Sequence, residues 1–192
     1  MNEQILIHDN SHIKGEKYKE EKIDGKIYKM APPCNEHIDV QANLTYIFTD
    51  YFRQHKKPCR ARPGAGLDID ENNSLEPDLQ IICREKDNGE IPVIVVEVLS
   101  KSTKKRDFGV KMKKYAGLGI REYWILSWQD SSIAVYLLDE SGQYELYNVY
   151  SVFTEKDKLE EDIIKEIVTA FSPVSFPELV IRLEDVFDIE WA

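Results

Sequence analysis

No stretch of this chain approaches the roughly 20 consecutive apolar residues that a spanning helix needs, which argues against a membrane protein. The opening segment MNEQILIHDNSHIKGEK has neither the basic flank nor the apolar run of a secretory signal. Cysteine is scarce. Cys34, Cys59 and Cys83 are odd in number and nowhere spaced as CxxC. That pattern predicts reduced thiols acting as small core hydrophobes in a cytoplasmic protein, and argues against a disulfide framework or a zinc cluster. A Gly-rich phosphate loop is missing too, because GAGL from Gly64 has neither the following helix nor the lysine such a loop requires. His8, His12 and His55 have no partner at metal-ligand spacing. With no internal repeat, no low-complexity tract and no long linker, residues 1–192 read as one domain.

What is present suits a soluble globular chain: 42% of residues are hydrophobic and 31% are charged. A net charge of −10 sits awkwardly with phosphate binding, but the charge is uneven. Arg53, Lys56, Lys57, Arg60 and Arg62 form a basic run without an acid. Lys101, Lys104, Lys105, Arg106, Lys111, Lys113 and Lys114 form a second, interrupted only by Asp107. Together the two runs hold 12 of the 25 basic residues, while EKDKLEED and LEDVFDIE make the last third acidic. Such asymmetry permits a basic face on an acidic protein, although charge runs are more commonly solvated helix faces.

Hydrophobic periodicity outlines the elements. GKIYKMA reads as a short strand after a turn, stopped by Pro32-Pro33. Asn35 to Gln54 has helical spacing, with Ile38, Ala42, Thr45, Phe48 and Phe52 on the inward face and Asn35 as N-cap. Pro63, Gly64 and Gly66 break the chain before the strand DLQIICR, and the turn EKDNGE leads to PVIVVEVLS. That near-continuous valine-rich run predicts a central strand buried on both faces. A helix capped by Ser102 or Thr103 follows through about Tyr115, ended by Gly117 and Gly119. EYWILSW, SIAVYLL and QYELYNVY predict three more strands, with Trp124 or Trp128 exposed on one face only. Residues 155–171 stay open between helix and strand, the β-branched IIKEIVTAF leaning towards strand. The order implies an α/β (α+β) domain whose mixed sheet has antiparallel edges.

One residue is out of place in that pattern. Glu97 sits inside the most apolar strand, where a carboxylate costs several kcal/mol unless it is paired, protonated or metal-bound. Asp78 opens the preceding strand about twenty residues earlier. If the two strands form a hairpin, the start of one lies opposite the end of the other. Both carboxylates then reach one sheet edge, as a divalent-cation site requires. On the next helix Asp107, Lys111 and Tyr115 share a face at spacings of four. Lys111 can reach towards the two acids or pair with Asp107, and the spacing alone does not choose.

The stretches EPDLQIIC and PVIVVEVLSKSTKKRDFGVKMKKYAGLGIREYWIL carry a resemblance. They resemble the Uma-two family of restriction-endonuclease-like proteins in the PD-(D/E)XK nuclease superfamily, whose pattern runs PD, EVLSPST, RRD, K, Y and G-V-EYW. The matching residues are Pro77-Asp78, Glu97 to Ser100, Ser102-Thr103, Arg106-Asp107, Lys111, Tyr115 and Glu122-Tyr123-Trp124. Weaker similarity extends from DGKIYKMAPP, with His37, to SFPELVIRLEDVF. Lys101 stands where the family usually has proline, and Leu99 occupies the usual place of the superfamily lysine, so the family reading moves that lysine to Lys111.

The resemblance implies a restriction-endonuclease-like mixed sheet flanked by helices. It also implies Mg²⁺ or Mn²⁺ held by Asp78, Glu97 and the Val98 carbonyl, and cleavage of DNA with Lys111 as the third catalytic group. Glu36, His37, Asp107 and Tyr115 are candidate accessory residues, and Lys101, Lys104, Lys105 and Arg106 candidate nucleic-acid contacts. For His37 a plain helix-terminus role stays open, and for Tyr115 a packing role with one hydrogen bond. The competing expectation is a catalytically inactive protein that keeps the fold for nucleic-acid binding or assembly. A homodimer formed through a β edge is compatible with either.

Overall fold

The computed structural model describes residues 19–84, 91–100, 103–153 and 168–189. A six-stranded sheet organises the domain, in the order β10-β9-β8-β7-β6-β3. Its strands are β3 (Cys59–Pro63), β6 (Leu79–Cys83), β7 (Ile94–Val98), β8 (Glu122–Ser127), β9 (Ser132–Leu138) and β10 (Tyr144–Ser151). Only β7 and β8 pair in parallel. A parallel neighbour needs a crossover connection. Here that crossover is an interrupted helix, α2, built from Lys104–Arg106, a π-helical turn Asp107–Lys111, and Met112–Gly117.

The two faces of the sheet are covered differently. On one lies α1 (Asn35–Gln54), whose Val40, Leu44 and Phe48 pack with Leu79, Ile81, Val96, Val98 and Trp124. The pair β11 (Ala170–Phe171) and β12 (Ile181–Arg182) and the short helix Leu183–Val186 close the same side. The other face carries α2 and an antiparallel sheet of order β2-β1-β5-β4. Its strands are β1 (Lys19–Ile23), β2 (Lys26–Met30), β4 (Leu67–Asp70) and β5 (Asn73–Leu75). Ile23, Leu75, Val95, Tyr115, Tyr123 and Ile125 form that second core.

β7 is buried at all five positions, as a strand covered on both faces should be. The mixed sheet flanked by helices matches the expected architecture. Several expectations need correction. Cys34, not Asn35, is the N-cap of α1, and it makes no side-chain capping bond. The inward stripe of α1 is His37, Val40, Leu44, Phe48, Tyr51 and Phe52, whereas Ile38 is exposed. Amphipathic His and Tyr side chains take the seam because their polar atoms reach partners at its ends. Thr103 takes the expected N-cap position of α2 but makes no side-chain capping bond, its hydroxyl meeting that of Ser100 at 3.0 Å. Trp124 is fully buried, its indole N–H bonded to Glu122. The expectations for Ser102, the EKDNGE turn, and residues 155–167 fall outside the described residues.

The cysteines also depart from expectation. Cys59 and Cys83 form a disulfide, because the β3–β6 register sets them directly opposite one another, and Cys34 is exposed rather than in the core. The pairing came from strand register across 24 residues, which no local spacing rule anticipates. Among the described residues, no helix is long and apolar enough to cross a membrane.

Candidate active site

The pairing of β6 with β7 builds the site. Leu79 faces Val96 and Gln80 faces Val95, so the same antiparallel register carried one step further sets Asp78 opposite Glu97. Alternation along β7 places Ile94, Val96 and Val98 against α1, leaving Val95 and Glu97 for the α2 side. Asp78 and Glu97 open on a cavity of about 530 Å³, lined also by Lys19, His37, Val98 and Lys111.

Each carboxylate has its own set of partners. Asp78 Oδ2 accepts the Val98 backbone N–H at 2.8 Å, and Oδ1 lies 3.0 Å from Lys19 Nζ and 3.3 Å from His37 Nε2. The Asp78 backbone is held as well: its carbonyl accepts the Gln41 amide and the Gly64 N–H. Gly64 turns there at φ +58°, a conformation that favours glycine. Glu97 Oε1 accepts the Tyr115 hydroxyl at 2.6 Å and the Lys111 ammonium at 3.0 Å.

Lys111 is the centre of a larger cluster. Its Nζ stands 2.8 Å from Glu21 Oε1, 3.0 Å from Glu97 Oε1 and 3.4 Å from Asp107 Oδ1. Both sequence alternatives for Lys111 are therefore realised at once. The π turn assists, since a four-residue repeat drifts by about 40° per step around an α-helix and a wider turn offsets that drift. Asp107, Lys111 and Tyr115 all end up buried on one side of α2.

Glu21 escaped the sequence reading. It lies in β1, in a segment rich in charged residues, yet it is completely buried and also accepts the Glu76 backbone N–H. Its only local signal is its place in the alternation with Ile23, the other buried residue of β1. The remaining candidates divide. His37 joins the site, whereas Glu36 does not line the cavity. Lys104 and Lys105 are exposed on α2, but Arg106 stacks over Tyr28 at 5.1 Å. Lys101 lies outside the described residues.

Burial and charge split the two cavity acids in opposite directions. Burial raises Asp78, but the His37 hydrogen bond and the Lys19 charge outweigh it and hold the carboxyl at about 2. For Glu97 burial dominates over the pull of Lys111 and pushes the carboxyl up to about 8. Lys111 is raised: burial opposes its charge, but Glu97, Glu21 and Asp107 more than compensate.

The cluster has an excess of negative charge. Glu21, Asp78, Glu97 and Asp107 are all buried, against two ammoniums, Lys19 and Lys111. Among the described residues, Glu21 Oε2 and Asp107 Oδ2 are buried without a hydrogen-bond partner, and Asp107 Oδ1 has only its 3.4 Å ion pair with Lys111. Such a balance asks for a proton or a cation. Among the described residues no three ligating side chains gather as a ready metal cage. Two carboxylates with water and backbone oxygen nevertheless match how Mg²⁺ is usually held, so the donors present fit a hard divalent cation.

A family model described as "Putative restriction endonuclease" matches residues 7–172. This chain belongs to the Uma2 family. Another protein similar to this Uma2 chain is slr1290 of Synechocystis sp., 26% identical over 160 residues and covering 80% of each chain. The fold resembles the crystal structure of a "putative nuclease belonging to DUF820" from Anabaena variabilis. That similarity has a TM-score of 0.67 at 19% identity, over 93% of this chain and 95% of the other.

Proposed function

We propose that this Uma2 protein is a metal-dependent endonuclease that hydrolyses phosphodiester bonds of DNA, with Mg²⁺ or Mn²⁺ held by Asp78, Glu97 and the Val98 carbonyl. One observation carries the reading: the β6–β7 register sets Asp78 opposite Glu97 on a cavity, within a cluster of four buried acids, Glu21, Asp78, Glu97 and Asp107, that holds only two ammoniums, Lys19 and Lys111. The cation, when bound, supplies a Lewis acid for the scissile phosphate and a water of lowered pKa.

The chain's own groups do the rest. The Val98 N–H and His37 orient Asp78, and Tyr115 orients Glu97. Lys111, ringed by three carboxylates and 1% exposed, keeps its proton and presents a fixed positive charge to the site. Its contribution is preorganised electrostatic stabilisation of the charge developing on the phosphate. Lys19 lines the cavity and is less buried than Lys111, so it is the cation best placed to touch the phosphate itself. Lys104 and Lys105 would contact backbone away from the cut, where phosphate contacts position the duplex without reading its sequence.

A second reading has an observation of its own. Lys19 Nζ, 3.0 Å from Asp78 Oδ1, neutralises one of the two proposed ligands without any metal. In a catalytically quiet nuclease-fold protein that ammonium would be permanent. For assembly, the outer strand β10 exposes Leu146, Tyr147 and Val149 at a sheet edge, which supports a homodimer formed through that edge.

The test is cleavage of supercoiled and linear DNA with Mg²⁺ or Mn²⁺, comparing wild type with Asp78→Ala and Glu97→Ala. Metal-dependent cutting lost in both variants is the expected result. Cutting that survives in both would sink the site assignment. Wild type that neither cuts nor binds the cation calorimetrically would leave the quiet-fold reading standing.

A further inference from the structure

The first basic run in the sequence forms a second concavity, distinct from the cavity around Asp78 and Glu97. It has a volume of about 530 Å³ and lies where the end of α1 meets the edge strand β3 and the end of β6. Arg53, Lys56, Lys57, Arg60, Arg62 and Arg84 line it, and among the described residues no Asp or Glu does. In a chain of net charge −10, six cations around one hollow are a strong local reversal of sign. Lys57 pairs with the exposed Glu178 at 3.3 Å. Arg53, Lys56, Arg60 and Arg84 make no ion pair with any described residue.

Two ordinary roles account for only part of this. Basic residues near a helix C-terminus complement its dipole, which covers Arg53 in the last turn but not Lys56 or Lys57 beyond it. Charges on an edge strand discourage edge-to-edge pairing, which covers Arg60 and Arg62 on β3. Arg84 follows β6, an interior strand, and has neither role.

We propose that this trough binds the phosphate backbone of the nucleic acid whose scissile bond lies in the Asp78–Glu97 cavity, so that the proposed substrate runs along β3 from trough to cavity. The inference rests on the nucleic-acid reading of that cavity, though not on cleavage. Connectivity supports it. β3 starts in the trough at Cys59 and ends at Pro63, and the next residue, Gly64, lines the cavity and bonds the Asp78 carbonyl. From Arg60 to Gly64 a strand rises about 13 Å. At about 3.4 Å per base pair, the trough would hold phosphates roughly four base pairs from the cut.

The trough needs its own readout. A fluorescent 20-base-pair DNA duplex, titrated by anisotropy in metal-free buffer from 50 to 200 mM salt, gives affinity and its salt dependence without turnover. Arg60→Ala/Arg84→Ala should weaken binding roughly tenfold at 100 mM salt and flatten the slope of log K against log salt by about 1.8, two phosphate contacts. The charge-conserving pair Arg60→Lys/Arg84→Lys should restore the slope. A double-alanine protein with wild-type melting, affinity and slope overturns the inference, and so does wild type that binds neither this duplex nor its RNA counterpart at 50 mM salt. Trough-dependent binding without any cleavage would instead defeat the nuclease reading and leave the trough standing. Cleavage with trough-independent binding would do the reverse.

Discussion

Lys111 Nζ lies 2.8 Å from Glu21 Oε1, and neither side chain is more than 1% exposed. The pair joins β1 of the small sheet to α2, so the candidate site and the packing between layers share one buried contact. Lys111 is common to three acids, whereas Glu21 is only one of its three partners. Removing Lys111 leaves Glu21, Glu97 and Asp107 without their shared cation.

Stability should follow that asymmetry. Lys111→Met is expected to cost about 3–5 kcal/mol, the usual penalty for stranding buried charge. Glu21→Gln keeps the shape and leaves Lys111 two carboxylates, so about 1–2 kcal/mol is expected. Urea denaturation of both variants in metal-free buffer checks the order. A Glu21→Gln loss equal to that of Lys111→Met would mean that Lys111 depends on Glu21 alone.

The raised Glu97 carboxyl has a consequence for pH. Its folded value is pushed up to about 8 by burial, well above an ordinary glutamate, so the folded state holds a proton that the unfolded chain has released. Stability from that proton is therefore present in mild acid and lost as pH rises through about 8. Asp78, held at about 2 in the fold, acts oppositely and loses its contribution only in strong acid. Without metal, wild type should lose melting temperature between pH 5 and 8 relative to Glu97→Gln, whose amide carries no titrating proton. Identical pH profiles for the two proteins would refute this assignment.

Cation binding should displace the same proton. If Mg²⁺ or Mn²⁺ enters beside Glu97, up to one proton leaves per cation near neutral pH. Calorimetry in two buffers of different ionisation enthalpy reads that number directly, and Glu97→Gln should abolish the difference between buffers. Release that persists unchanged in the variant would place the proton elsewhere.

The Cys59–Cys83 bridge closes a loop of 24 residues in sequence separation. Loop-closure entropy at that length gives about 3 kcal/mol as the stabilisation expected from the crosslink. Cys59→Ser/Cys83→Ser should therefore lower stability by up to that amount, and adding reductant should affect wild type alone. Wild type insensitive to reductant would show that the crosslink adds nothing to the fold.

Much of the architecture was legible in the pattern of residues. The valine-rich run around Glu97 announced a strand buried on both faces, the apolar run from Glu122 announced another strand, and β9 showed partial alternation, because burial of a strand leaves a mark at every position or every second one. The largely exposed β10 was legible instead as a hairpin partner after Ser141-Gly142. The bounds of α1 were equally clear, but its inward face was not. Ile38 looks like a core residue and is exposed, while His37 and Tyr51 are buried, because a polar side chain can line a core when its polar atoms have partners. The short strands β4 and β5 and the π turn in α2 left no comparable signal, since too few residues carry each period.

By itself the sequence determined the kinds of elements, the identity of Asp78 and Glu97 as a pair worth attention, and the chemistry a buried carboxylate demands. Those follow from local periodicity and from the cost of putting one charge in an apolar strand. Only the tertiary structure decided that Glu21 shares Lys111, that His37 and Lys19 flank Asp78, that Cys59 meets Cys83, and that Arg84 joins the first basic run around one hollow. Each of these depends on strand register or on the docking of one layer against another. Residues tens of positions apart carry no sequence mark of such encounters, because what joins them is set by the packing of the whole chain.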